Sequence, residues 1–284
     1  MVTQVDGTAD EGWRAVLEEV RAAVRAAGED DPLDEAARLR VKHRGLADST
    51  LWLAGTDGFA LAHDGAVDLA VAPPARGAGL GRELAAAALD GHDPLTAWSH
   101  NDHPAAAVLA ERHAMRRARA LWVMRRPTSE PLPELVVPDG TEVRGYRDAD
   151  RDEVLRVNAA AFAHHPEQGS MDADDLADRM AEEWFDPAGL LVADTGDGLS
   201  AFHWTKQHDA RLGEVYVVAV DPAAQGRGLG RVVTLAGLYH LQDLGVEEIL
   251  LYVESDNAPA VRVYSRLGFT HADTDTHVMY RREA

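Results

Sequence analysis

Apolar side chains recur at helical spacing over residues 10–27, where Trp13, Val16, Leu17, Val20 and Val24 stand between charged positions. This pattern predicts an amphipathic helix. A second, short helix is expected over residues 33–41, after Pro32 and with acids in its first turn. The period then changes to that of strands. Residues 51–54, 58–63 and 67–71 read as short strands separated by Asp-Gly turns, consistent with an antiparallel meander. A stretch rich in proline and glycine, residues 72–82, opens an alanine-rich helical run over 83–89. A strand at 95–98, a helix at 104–115 and a strand at 120–125 follow.

The same order returns in the second half. A strand is predicted at 142–146, then a helix capped by Asp148 and reaching residue 162, with Val154, Leu155, Val157 and Ala161 on its buried face. A loop over 164–169 leads to a helix over 172–184, and strands are expected at 190–194, 199–207 and 213–220. The run Gln225-Gly226-Arg227-Gly228-Leu229-Gly230 opens the next helix, and a strand at 249–253, a helix at 259–269 and a strand at 277–281 close the chain. Val71, Pro73, Gly77, Gly79, Leu80, Gly81 and Arg82 fall at the spacing of Val220, Pro222, Gly226, Gly228, Leu229, Gly230 and Arg231. The chain therefore reads as a tandem duplication of one αβ unit. The proline-rich stretch PTSEPLPELVVPDG cannot continue a helix and suits an extended linker. We expect domains at 1–126 and 141–284 with a linker at 127–140.

The second glycine run follows a nearly continuous apolar strand and Asp221-Pro222. A glycine turn that opens a helix exposes unpaired backbone N–H groups at the positive helix end, which suits an anion such as a pyrophosphate. No Gly-Lys-Ser/Thr is present, and the third glycine of a dinucleotide fingerprint would fall on Arg231. Neither of those phosphate-binding patterns therefore applies. A strand-to-helix turn that needs glycine only for its geometry stays open as the alternative.

Charge and composition narrow the classes. A formal charge of -20 argues against nucleic acid or an anionic membrane surface as a partner, because phosphate contacts need clustered Lys and Arg. The absence of cysteine removes disulfides, thiol nucleophiles and thiolate metal sites. The histidines show no metal-ligand spacing, and His164-His165 reads as a loop feature, so no metal is expected. The start MVTQVDGTADEG has no apolar signal segment, and a cytoplasmic, monomeric protein is expected.

The element order, with Gln225 to Gly230 after Val-Ala-Val-Asp-Pro, resembles the GCN5-related N-acetyltransferase family, present twice. Asp256-Asn257-Ala258-Pro259-Ala260 and Tyr264-Ser265-Arg266-Leu267-Gly268-Phe269 are similar to its late helix and Leu-Gly-Phe ending. Within it, the stretches 161–169, 202–206, 213–218 and 252–257 resemble the mycothiol synthase family, whose second half matches throughout and whose first half matches mainly in layout. The resemblance implies an α/β (α+β) fold of two tandem acetyltransferase domains, each a mixed, largely antiparallel sheet flanked by helices. It also implies acetyl-CoA as donor and a small-molecule thiol-sugar amine, the cysteinyl-glucosaminyl-inositol precursor, as acceptor.

Glu214 lies beside Val215, Tyr216, Val217 and Val218 and reads either as a partly desolvated general base or as an exposed acid at a strand end. Tyr264 reads as a core aromatic or as a general acid for the CoA thiolate. The resemblance favours the catalytic reading of both. It also implies that Val218, Ala219 and Val220 border the pantetheine arm, that Gln225, Gly226, Arg227, Gly228, Leu229, Gly230 and Arg231 hold the pyrophosphate, and that Asn257, otherwise a helix cap, reaches CoA. For the acceptor it implicates Glu35, Glu167, Lys206, Glu214 and Glu254. In the first copy, Leu69, Ala70, Val71, Arg76, Gly77, Ala78, Gly79, Leu80, Gly81 and Arg82 would hold a second acetyl-CoA or form a vestigial loop. By the glycine-loop alignment Gly65 stands in the place of Glu214, and in the late helix Leu109 or Ala110 stands in the place of Tyr264, so the first copy is expected to be non-catalytic. The open alternatives are another small amine or a protein N-terminus as acceptor, or a non-catalytic acyl-CoA sensor.

Overall fold

A computed structural model describes residues 1–5, 12–90, 95–164 and 168–283. In chain order the elements begin with β1 (Thr3–Gln4), α1 (Gly12–Ala26), α2 (Glu35–Arg44), β2 (Ser49–Leu53), β3 (Gly58–His63), β4 (Ala66–Val71), α3 (Leu80–Leu89), β5 (Leu95–Ser99), α4 (Pro104–Arg112) and β6 (Arg116–Pro127). They continue with β7 (Glu142–Gly145), α5 (Arg151–Ala161), α6 (Ala173–Met180), β8 (Leu190–Asp194), β9 (Leu199–Gln207), β10 (Leu212–Val220), α7 (Leu229–Asp243), β11 (Glu248–Glu254), α8 (Ala258–Arg266) and β12 (Thr270–Arg282). Two compact units result, Met1–Leu121 with Asp273–Ala284, and Trp122–Ala272.

In the first unit the strand order is β1-β2-β3-β4-β5-β12. The pairings are antiparallel except for β4 with β5, which run parallel. The period of two along β3 sorts its side chains between two cores. Phe59 and Leu61 pack under α1 and α2 with Trp13, Leu17, Val20 and Leu33. Ala60 faces the other way, into a cluster of Leu84, Ala88, Leu95, Met115, Val278 and Tyr280. The first helix buries Trp13, Leu17, Val20 and Val24, the stripe its sequence period predicts. α2 starts at Glu35 because the Asp34 carboxylate accepts the Ala37 N–H at 2.8 Å and fixes the helix start there.

In the second unit the order is β6-β11-β10-β9-β8-β7, with β10 and β11 parallel. β9 is buried along all but its last residue, so no alternation marks it in the sequence. On one face Phe202, Trp204, Val217 and Ala219 cluster with Val154 of α5 and Leu176 of α6. On the other Val215, Ile249 and Leu251 cluster with Leu235 and Leu238 of α7 and with Phe269. The predicted cap of α5 at Asp148 is displaced. Residues Asp148–Asp150 form a 3-10 turn, and Asp150, tied to Arg144 at 2.7 Å, accepts the Arg147 N–H at 2.8 Å.

The two closing strands exchange places relative to the sequence repeat. β12, at the end of the second copy, pairs with β5 of the first unit in the register Val278↔Ser99. β6, at the end of the first copy, neighbours β11, and from Trp122 onward it belongs to the second unit. After Pro127 the stretch up to residue 140 forms neither helix nor strand, with turns at 128–129 and 139–140, and it also lies within the second unit. Thr128 Oγ1 donates to the Val246 carbonyl at 2.6 Å, and Tyr239 donates its hydroxyl to the Pro133 carbonyl at 3.2 Å.

Candidate active site

β10 and β11 are paired only from Leu212↔Glu248 to Val215↔Leu251, although β10 runs on to Val220 and β11 to Glu254. The pairing ends where β10 carries a bulge against β9, between Val215 and Val217, so that Tyr216 is the extra residue. A bulge raises the local twist and turns the strand away from its neighbour. The edge of residues 216–220 that faces β11 therefore carries no ladder bonds to it, and an extended ligand can take them up. Val218 and Val220 are half-buried and Ala219 is buried there.

At the end of that strand, Pro222–Ala224 form a 3-10 turn capped by Asp221, whose carboxylate accepts the Ala223 N–H at 2.8 Å and also takes Arg156. These two partners, Arg156 first, hold Asp221 below the usual carboxylate range. Gly226 and Gly228 then adopt φ of +80° and +79°, the left-handed region that favours glycine. A Cβ at either would meet nothing within 4 Å, so the turn stands in open space, and Gly228 caps α7. Helix geometry leaves the first N–H groups of α7 free of intrahelical partners. Gln225, Arg227 and Arg231 are exposed, Leu229 is buried and Gly230 is half-buried. The cradle fits a pyrophosphate: open donors, a helix N-terminus and exposed arginines beside it.

Glu214 sits at the point where the β10–β11 pairing ends. It is buried, and its Oε2 lies 2.7 Å from His208 Nε2. His208, which no sequence pattern marked, follows β9 directly and is one-third exposed. Across the sheet Glu214 stands opposite Lys206. The buried Lys206 ammonium lies 4.5 Å from the Trp184 ring centre and 5.1 Å from that of Tyr216. Arg179 Nε donates to the Tyr216 hydroxyl at 2.9 Å. These aromatics and cations form a cluster with a hydrogen-bonding and a cation–π side.

Tyr264 packs against Phe269 with ring centres 5.9 Å apart and joins the apolar cluster containing Val218 and Val253. Burial alone pushes its phenol up to about 12. Asn257 caps α8 by accepting the Ala260 N–H at 3.2 Å and is exposed. Glu254, half-buried, ends β11. Glu167 lies outside the described residues. Glu35 belongs to the first unit, where it opens α2 and stands 4.0 Å from Arg38.

The first unit repeats the cradle. Gly77 and Gly79 have φ of +82° and +90°, and Gly79 caps α3. β4 and β5 pair at Ala66↔Thr96, and a cavity of about 450 Å³ opens beyond, lined among others by Leu69, Ala70, Val71, Arg76, Gly77, Leu80 and Gly81. Ala78 and Arg82, both exposed, and half-buried Gly79 complete the turn. Arg76 is clamped by both oxygens of Glu29, at 2.6 and 2.8 Å, and donates Nε–H to the Val71 carbonyl. β4 pairs with β3 without a bulge. Counting back from the matched ends Val71 and Val220, the extra residue Tyr216 moves the counterpart of Glu214 from Gly65 to Ala66. The parallel register agrees, since Ala66 stands opposite Thr96 as Glu214 stands opposite Leu250. Neither residue is an acid, and Leu109 and Ala110 supply no phenol where the second unit has Tyr264.

A splayed parallel pair above a glycine turn, built twice, defines a tandem GCN5-related N-acetyltransferase fold. The profile of the Acetyltransferase (GNAT) family matches residues 157–269. Two solved structures share the fold across the chain. One is a tandem GNAT protein from the clavulanic acid biosynthesis pathway, with a TM-score of 0.71 at 19% identity, covering 100% of this chain and 98% of that one. The other is a GCN5-related N-acetyltransferase from Sphaerobacter thermophilus, with a TM-score of 0.66 at 22% identity, covering 100% and 95%. The sequence is 57% identical to the mycothiol acetyltransferase of Nocardioides sp. over 94% of this chain and 97% of that protein, and 47% identical to the one from Actinosynnema mirum over 94% and 98%. The chain belongs to the mycothiol acetyltransferase family and is an N-acetyltransferase. Among the described residues no helix is long and apolar enough to cross a membrane.

Proposed function

We propose that the second unit transfers the acetyl group of acetyl-CoA to the cysteinyl amine of the cysteinyl-glucosaminyl-inositol precursor, giving mycothiol. The observation that carries this reading is the coincidence at one strand: β10 leaves β11 at Val215, bears the buried acid Glu214 at that point and ends in the glycine turn. In our reading the turn from Gln225 to Arg231 holds the pyrophosphate, Asn257 reaches CoA, and the thioester lies along Val218, Ala219 and Val220. A strand N–H freed by the splay polarises its carbonyl.

An α-amino group has a pKa of about 7.7 to 8.0, so an appreciable fraction is neutral near physiological pH. Glu214 takes the proton that the amine loses on attack, and His208, partly in solvent and hydrogen-bonded to it, carries the proton out. Lys206, Glu254 and Glu167, all of the second half of the chain, are the polar groups we assign to acceptor binding. Tyr264 faces the departing sulfur. With a phenol near 12 against a thiol near 8.5, full proton transfer to the thiolate would run uphill by roughly 5 kcal/mol. Tyr264 therefore acts by donating a hydrogen bond to the sulfur as charge develops, and the thiolate takes its proton from solvent.

The first unit, in this reading, binds a second acetyl-CoA without turning it over, having the cradle but neither the acid nor the phenol. The reading is tested by incubating the full-length chain with acetyl-CoA and the desacetylated precursor and following free CoA. Release that depends on the precursor supports it. Turnover with other amines but none with this one sinks the acceptor, and no turnover with any amine leaves an acyl-CoA sensor instead.

A further inference from the structure

The first unit gathers a carboxylate and two imidazoles from three distant parts of the chain. Asp30 lies between α1 and α2, His100 follows the last residue of β5, and His277 is carried in by β12 next to the last pair of its register with β5, Val278↔Ser99. Nδ1 of His100 and Nδ1 of His277 are 3.1 Å apart, with their rings at 87°. Asp30 Oδ2 lies 3.4 Å from the other ring nitrogen of His277 and accepts the Asn101 amide N–H at 2.9 Å. Asn101 and Asp102 hold φ of +54° and +43°, so the chain turns sharply just after His100 through conformations that non-glycine residues seldom adopt. His277 is buried, whereas Asp30 and His100 line the 450 Å³ cavity.

Two nitrogens bound to one tetrahedral zinc at about 2.0–2.1 Å stand about 3.3 Å from each other. The facing Nδ1 atoms are therefore already near ligand spacing. A metal-bound imidazole almost always gives its second N–H to a carboxylate or carbonyl, which fixes its tautomer, and Asp30 stands at that nitrogen of His277. We propose that His100 and His277 bind a divalent transition metal of the zinc class through Nδ1, with Asp30 as the orienting carboxylate and the remaining coordination positions open to the cavity. The ion ties the last strand of the chain to β5. Sequence spacing gave no sign of it, since the two histidines are 177 residues apart.

A direct hydrogen bond between the imidazoles would use the same tautomer of His277, so metal binding is the discriminating measurement. The full-length chain, stripped with a chelator, is titrated with Zn²⁺ by calorimetry and with Co²⁺ by visible absorption. One equivalent should bind, the Co²⁺ bands should show imidazole coordination, and the thermal midpoint should rise. His100→Ala and His277→Gln should each abolish the bands, and Asp30→Asn should weaken binding by about 10- to 100-fold. Far-UV spectra of the metal-free variants, matched to metal-free wild type, separate lost ligation from lost folding, with His100→Ala at the cavity wall as the milder change. Failure of the wild type to bind a stoichiometric ion overturns the site, as does binding that survives both histidine substitutions.

Discussion

In the mechanism proposed above, Glu214 and His208 carry proton movement in the second unit, and their 2.7 Å contact makes the two roles separable by substitution. Glu214→Gln keeps the shape and removes the base. We expect turnover to fall by about 10²- to 10⁴-fold, most severely at low pH where the amine is protonated. His208→Gln leaves the acid in place, so a smaller loss with a shifted pH profile is expected; an unchanged profile would remove His208 from the relay. Tyr264→Phe should lower kcat with little change in KM for acetyl-CoA, and a KM effect alone would reduce Tyr264 to packing. Glu214 and Tyr264 could be singled out as candidates because the family resemblance falls on local patterns, a strand before a glycine turn and a helix before Leu-Gly-Phe. His208 was not, because its contact arises from the return of the chain between β9 and β10, and a lone histidine after a strand carries no spacing signal.

Between α7 and β9 the packing is close enough for one glycine to decide it. A Cβ at Gly237 would lie 2.0 Å from His203 Nδ1, in a ring that is fully buried and donates to the Val233 carbonyl at 3.0 Å. Gly237→Ala must displace the ring or the helix, and we expect a loss of at least about 1–3 kcal/mol in chemical denaturation, the usual cost of overpacking. Burial pushes His203 down to about 4. Below its ordinary value of 6.5 the unfolded chain binds a proton that the folded chain refuses, so the contribution is complete above pH 6.5 and is lost as the pH falls toward 4. The loss is on the order of 3 kcal/mol, and His203→Gln should remove that pH dependence. The glycine turns belong to this scale as well. Two acetyl-CoA equivalents are expected in calorimetry of the wild type, and Gly79→Val, placing a branched side chain at φ of +90°, should remove one of them while leaving turnover unchanged. One equivalent in the wild type would make the first turn vestigial. Most elements could be read from periodicity and caps, but the bulge at Tyr216 could not, because one extra residue inside the run VYVVAV changes no pattern. That single residue is what shifted the counterpart of Glu214 from Gly65 to Ala66.

At the scale of the whole chain, the repeat was legible in the sequence and the exchange of closing strands was not. Each copy ends in a similar apolar strand, and nothing local says which sheet it will complete; the pairing is a tertiary choice. Cutting the chain in the 127–140 stretch would leave the first piece without β12, whose Val278 and Tyr280 sit in the core of Leu84, Leu95 and Met115. It would also leave the second piece without β6, whose Met124 is buried with Ile249 and Phe269. We expect residues 1–126 and 141–284 to be insoluble or molten when made alone and to recover folding and activity when made together. Independent, cooperative melting of either fragment would refute this.

The same connectivity sets an order on biosynthesis. Domains of most chains fold as they emerge, the N-terminal one first. Here residues 1–121 wait on the strand that completes their sheet, which follows the whole second unit in the chain, while residues 122–272 have all their strands sooner. Ribosome-stalled chains ending near residue 270 should accordingly show a protease-sensitive N-terminal part, and release of the finished chain should close it.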